Sequence, residues 1–249
     1  MSSASLSKRP SPIADDGSAV MFCSTCAFSS ACRSQGLSKA QLRDLHILVD
    51  HIGPFGPGEY LFREGDDFDA IAAVRAGTVK TYIVDSHGRE QVQGFFLPGE
   101  VIGLNAIHQA RYPANAVALD TVTVCRFSFP KMATLAAKLP GLQQHLFRLL
   151  SRDIDKAALL AGDFDADERV AAFLVMLSRR YAARGFSPHT FRLTMARTDM
   201  ANYLRLAPET VSRLLSRFQN DGLLVIHRRE INLIRLDRLE LLAGAVLRS

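Results

Sequence analysis

Long apolar runs are missing from this 249-residue chain, and that absence is the first thing to bound its function. A membrane helix needs roughly 18 or more consecutive apolar residues, and no segment supplies them, so a soluble protein with no membrane partner is expected. The segment from Met1 to Asp16 is rich in Ser, Pro, Lys, Arg and Asp and lacks the apolar core of a secretory signal. A reducing, cytoplasmic location is therefore expected, which disfavours structural disulfides. Catalytic groupings are missing too. The seven histidines, His46, His51, His87, His108, His145, His189 and His227, are scattered along the chain, none at a known ligand or catalytic spacing from a carboxylate or cysteine. Each reads as a surface or capping residue, and nothing in the sequence points to an enzyme. No internal repeat or low-complexity tract interrupts the folded part.

Cysteine is scarce, but its placement is informative. Cys23, Cys26 and Cys32 form a C-x2-C-x5-C cluster on a short polar stretch, and Cys125 stands alone far downstream. Four thiolates are the donor set of one metal or cluster site, in which a loop wraps a soft centre and a distant residue closes it. Structural zinc accepts four thiolates as well, though zinc motifs usually come as two short pairs. Unliganded thiols are the third reading. Cys125 lies in the strand-like Thr121-Val122-Thr123-Val124-Cys125-Arg126-Phe127, where a cysteine is often only a small buried hydrophobe.

The formal charge of +5 is unevenly spread. Residues 1–165 hold 16 basic and 17 acidic side chains, whereas 166–249 hold 14 and 8, and all 14 of those bases are arginine. A basic C-terminal third of planar bidentate donors suits phosphate and guanine edges. The pattern along the chain agrees with such a division. Residues 1–20 read as a disordered tail and 21–36 as the cysteine segment. Short strand-like runs follow, among them Tyr60–Arg63, Val79–Val84 and Val92–Leu97, separated by glycine turns as in a sandwich or barrel. Pro140 and Gly141 precede a long helix ending near Gly162. On it Leu142, Leu146, Leu150, Ile154, Ala157 and Ala161 recur at near-helical spacing. That stripe packs either on its own β domain or on its twin across a two-fold axis.

The most specific segment runs from Leu193 to Phe218. A short helix, a break near Leu206 and Ala207, and a second helix opened by Pro208 read as a helix-turn-helix. Val211, Leu214, Leu215 and Phe218 give the second helix an apolar anchor. Its opposite face presents Glu209, Ser212, Arg213 and Ser216, with Arg217 beside them, all groups able to read base edges. Arg197, at the start of the first helix, joins this DNA-binding set. Leu223–Ile234 reads as two strands around a charged tip, a wing whose Arg228 and Arg229 would meet backbone phosphate.

Over nearly its whole length the chain resembles the regulators related to the cyclic AMP receptor protein, most closely their oxygen-sensing FNR branch. Cys23, Cys26, Cys32 and Cys125 match that branch's cluster ligands. Leu177-Ser178-Arg179-Arg180, Arg184-Gly185-Phe186-Ser187-Pro188, Phe191-Arg192-Leu193-Thr194-Met195 and Glu209-Thr210-Val211-Ser212-Arg213 match its DNA-binding domain. The resemblance implies an α+β fold: an antiparallel β-roll sensor domain (37–139) of the cyclic-nucleotide-binding type, a dimerisation helix (140–165) and a winged helix-turn-helix domain (166–249). It also implies a 4Fe-4S cluster on the four cysteines and a homodimer through Leu146, Leu150, Ile154, Ala157 and Ala161. Oxygen would destroy the cluster and release DNA. The implied partners are a palindromic duplex of the TTGAT-then-ATCAA type and RNA polymerase, met through surface loops such as Asp85–Glu90.

Three positions depart from that pattern. Pro208 lacks the side-chain donor that cyclic AMP receptor relatives carry there, so the corresponding guanine contact is absent. Pro113-Ala114-Asn115-Ala116 stands where cyclic-nucleotide binders place an Arg-Ser pair, although Pro98-Gly99-Glu100 remains. A cyclic nucleotide is thus the second reading for the signal, beside zinc or thiol redox. Ala157 replaces an acidic residue of the dimer helix, and losing a like charge that faces its twin implies weaker dependence of the dimer on the cluster.

Overall fold

In the computed structural model of the chain the described residues are 49–159, 164–244 and 246–248. The tail and the cysteine segment expected over 1–36 lie outside them. The described chain divides into two compact units, one running to Gly88 and resuming over Gln93–Arg152, the other made of Arg89–Val92 and Asp153 onward.

Among the described residues eight strands precede the first long helix: β1 (Val49–Phe55), β2 (Tyr60–Phe62), β3 (Ala70–Ala76), β4 (Val79–Val84), β5 (Glu90–Phe96), β6 (Val101–Ile102), β7 (Asn115–Ala118) and β8 (Val122–Ser128). They form two four-stranded sheets in the orders β1-β8-β3-β6 and β2-β7-β4-β5. The observed pairings are antiparallel, as the short alternating runs and tight glycine turns predict. One such turn needs its glycine. Gly77 has φ +79°, and a Cβ there would collide with the carbonyl oxygen of Thr121.

Alternation along β8 sorts its side chains onto two faces. Val122 and Val124 point inward, joining Ile52, Leu61, Phe62, Val74, Val79 and Ile102 in the core between the sheets. Tyr112 closes that core: its ring stacks on Phe62 at 3.9 Å and its hydroxyl donates to Ala70 O at 2.6 Å. Burial, followed by the nearby Asp69 carboxylate, pushes the Tyr112 phenol above its ordinary value. Cys125 and Phe127 point outward, into a second cluster with Ile71, Ala73 and Val101. Two helices cover this outer face, α1 (Phe129–Lys138) and α2 (Pro140–Leu159). Met132 and Ala136 come from α1; Leu142, Leu146, Leu149 and Leu150 come from α2.

From residue 166 onward the second unit contains α3 (Ala166–Ala182), β9 (Thr190–Arg192), α4 (Arg197–Leu204), α5 (Pro208–Asn220), β10 (Leu224–His227), β11 (Glu230–Leu233) and α6 (Leu236–Leu242). Glu168 accepts the Asp165 N–H at 2.9 Å, half of a capping box that starts α3. The strands pair in the order β10-β11-β9, and α3 packs against α5 and α6. The result is four helices with a small antiparallel sheet, the winged helix-turn-helix that the sequence predicts.

Candidate nucleic-acid interface and metal ligand

The helix-turn-helix is held from below. Met200, Ala201 and Leu204 of α4 and Val211, Leu214, Leu215 and Phe218 of α5 are buried. At about 1.5–3 kcal/mol per fully buried large side chain, the four α5 residues suffice to pin one face of that helix. The turn is made at Arg205, one residue before the expected break. Arg205 is left-handed (φ 56°), and the next amide, Leu206 N–H, donates back to Ala201 O at 2.9 Å. Arg169 locks the arrangement from α3, donating to Phe164 O at 2.9 Å and Leu204 O at 3.2 Å.

Pinning one face fixes what the other offers. Glu209, Ser212, Arg213, Ser216 and Arg217 are all exposed along α5. Arg213 makes no ion pair among the described residues, so its fork is available to a ligand. Ser216 Oγ donates to Ser212 O at 3.1 Å, leaving its lone pairs to accept. Arg217 differs from its neighbours: it reaches Asp167 of α3 at 3.1 Å, so it tethers the helix as well as facing outward. Arg197 sits half-buried at the start of α4, near Met200 Sδ at 3.4 Å, and desolvation lowers its pKa from the ordinary arginine value. Its guanidinium is the least accessible of the predicted set.

The wing is a two-residue hairpin loop, Arg228-Arg229, between β10 and β11, with His227 opposite Glu230. Arg228 is left-handed (φ 58°), and both arginines are exposed. Thr190, Phe191, Arg192 and His227 to Glu230 line a shallow recess along this edge. Arg192, which the sequence offers only as part of the Phe191–Met195 family motif, is brought beside the wing by the pairing of β9 with β11.

In the β-roll, the cysteine expected to close the metal site is half-buried on the outer sheet face. Its sulfur lies 3.4 Å from Nδ1 of His51, the residue directly opposite on β1. His51 therefore corrects the expectation that every histidine is a surface or capping group, as does His145, which is buried on α2. Cys23, Cys26 and Cys32 lie outside the described residues. Among the described residues no three His, Cys, Asp or Glu side chains gather as a metal site. One residue on, Arg126 pairs with Asp50 at 3.2 Å and with Asp69. At the cyclic-nucleotide position, Ala114 and Asn115 are buried, and Asn115 Oδ1 accepts the Glu64 N–H at 3.2 Å. The nearby Arg111 is exposed and occupied by Gly65 O and Asp67.

The predicted dimer residues fall into separate environments. Leu146 and Leu150 are half-buried against the chain's own outer cluster, whereas Ile154 is 70% exposed. Phe147, which the stripe omitted, is 60% exposed and seven residues before Ile154, on the same helix face. The side chain of Ala157 and all of Ala161 lie outside the described residues.

Helix, left-handed turn, exposed recognition helix and basic hairpin, preceded by an antiparallel β-roll, define a winged helix-turn-helix DNA-binding regulator. Residues 53–138 match the cyclic nucleotide-binding domain and residues 168–242 the Crp-like helix-turn-helix domain. Over 231 residues, 92% of each chain, the sequence is 40% identical to the fumarate and nitrate reduction regulatory protein of Escherichia coli. It is 42% identical over 226 residues to the transcriptional activator protein anr of Pseudomonas aeruginosa, covering 90% of this chain and 92% of that one. FixK2 from Bradyrhizobium japonicum superposes with a TM-score of 0.69 at 28% identity, over 78% of this chain and 96% of that one. The chain belongs to the CRP/FNR family of DNA-binding transcription regulators. No helix among the described residues is long and apolar enough to cross a membrane.

Proposed function

We propose that this regulator is an oxygen-responsive switch, active as a homodimer when Cys23, Cys26, Cys32 and Cys125 hold a 4Fe-4S cluster. Its operator is a palindrome of the TTGAT-then-ATCAA type. Four thiolates in a reducing compartment suit such a cluster, which when bound supplies an inorganic centre that oxygen can oxidise. The observation that carries the reading is the position of Cys125. It packs against the same apolar cluster as Leu146, Leu149 and Leu150 of α2, so a shift at its sulfur can reach that helix through the cluster.

The other side of α2 exposes Phe147 and Ile154, an apolar face suited to the same face of a second copy. A dimer presents two α5 helices to half-sites one DNA turn apart, whereas a monomer presents one. Arg213, Glu209 and Ser212 read base edges, and Arg228 and Arg229 hold phosphate. The turn Asp85–Gly88, closed by the Gly88 N–H donating to Asp85 O at 2.9 Å, is a rigid exposed feature for RNA polymerase to meet. The absence of an arginine at Pro113–Ala116 argues against a cyclic phosphate as the signal.

The test is binding of a palindromic duplex under strict anaerobiosis, then after exposure of the same sample to air. The reading expects loss of binding together with a change from dimer to monomer. Equal binding and equal mass in both conditions would refute it.

A further inference from the structure

We propose that His51 is a positioning residue for the Cys125 sulfur, donating an Nδ1–H hydrogen bond to the thiolate that would ligate iron; this rests on the cluster reading above. His51 and Cys125 are cross-strand partners on the outer face, with Nδ1 and Sγ 3.4 Å apart and the contact partly shielded from solvent. On the other side of β8 the partner of Cys125 is Ala73, whose methyl group offers no polar atom to the sulfur. A metal-bound thiolate has no proton to give, so the contact forms only when Nδ1 carries the proton and the sulfur accepts. The rigid pairing of β1 with β8 sets the distance, so the donor is in place before any metal arrives.

Two consequences follow from a donor in that position. Hydrogen bonds to cluster sulfurs withdraw electron density and raise the reduction potential. They also fix the ligand's orientation, and losing such a partner typically weakens metal retention on the order of 10-fold or more. His51 thus makes the centre both better held and harder for oxygen to oxidise.

The experiment compares the parent protein with His51→Phe, which keeps the ring and removes the donor, and His51→Asn, which keeps an N–H near the Nδ1 position. Iron release to a chelator and the reduction potential are measured anaerobically. His51→Phe should release iron on the order of 10-fold faster and shift to a more negative potential, with His51→Asn recovering most of both. A parallel measurement uses metal-free protein with reduced thiols: Cys125→Ala should move the side-chain ¹⁵N resonance of His51 Nδ1. An unmoved resonance would overturn the contact. Iron counted on the parent separates the remaining failures. No iron sinks the cluster reading, whereas normal iron with unchanged release and potential in His51→Phe overturns the role of His51.

Discussion

Replacing Arg213 with alanine isolates base reading from fold and from general charge. Arg213 is exposed on α5, opposite the buried Val211, Leu214, Leu215 and Phe218, and makes no ion pair among the described residues. Its loss should leave the unfolding free energy within about 0.5 kcal/mol of the parent, as for other surface positions. A bidentate arginine contact to guanine is worth about 1–3 kcal/mol. A dimer on a palindrome makes the contact twice, so the specific complex should lose about 2–6 kcal/mol in total, roughly 30-fold at the least. Arg217 supplies the contrast. It is tied to Asp167 at 3.1 Å, and as a partly exposed pair that bridge contributes about 0.2–1 kcal/mol to stability. The assay is fluorescence anisotropy on the palindrome and on a scrambled duplex at one fixed salt concentration. Arg213→Ala should weaken the first far more than the second. Equal losses on both would refute base reading and leave Arg213 as a phosphate contact.

Other substitutions probe other links. Ile154→Asp places a charge on the exposed face of α2 and should convert the anaerobic dimer to monomer by sedimentation, with each protomer's stability unchanged within about 0.5 kcal/mol. Arg228→Gly removes a left-handed residue and a charge together; thermal unfolding should show a gain of up to about 1 kcal/mol. The same variant should bind specific and scrambled DNA more weakly, with a salt dependence shallower by about two units for the dimer, one per protomer. Tyr112→Phe removes the hydroxyl that donates to Ala70 O and should cost about 1 kcal/mol at neutral pH. Because the folded phenol is raised above its ordinary value, its contribution is complete below about pH 10 and declines as the unfolded chain ionises at higher pH. Equilibrium unfolding between neutral and strongly alkaline pH should therefore show a shallower decline in Tyr112→Phe than in the parent.

Sequence pattern and structure agree best where one periodicity has one cause. The α5 pattern predicts the buried and exposed faces residue by residue, since a short amphipathic helix on a small domain has only one place to put its apolar side. On α2 the stripe mixed two surfaces. Leu146 and Leu150 pack on the outer sheet face while Ile154 is exposed, and Phe147 lay off the stripe altogether. A helix with apolar groups on two sides does not declare from spacing which side meets its own sheet. His145, polar yet buried, blurs the pattern further. His51 was passed over for a different reason: it is far from Cys125 in sequence, and only the β1–β8 register brings the two together. The Arg217–Asp167 pair and Arg192 at the wing likewise depend on packing between elements, which a linear pattern does not contain.

On the proposed function, four cysteines hold an iron-sulfur centre that governs DNA binding. The most direct test is purification under strict anaerobiosis with iron, acid-labile sulfide and zinc counted per chain, and visible absorption and palindrome binding followed before and after air. The account predicts about four iron and four sulfide, bleaching in air, and loss of DNA binding on the same time course. Zinc or no metal, with DNA binding unchanged by air, would contradict it.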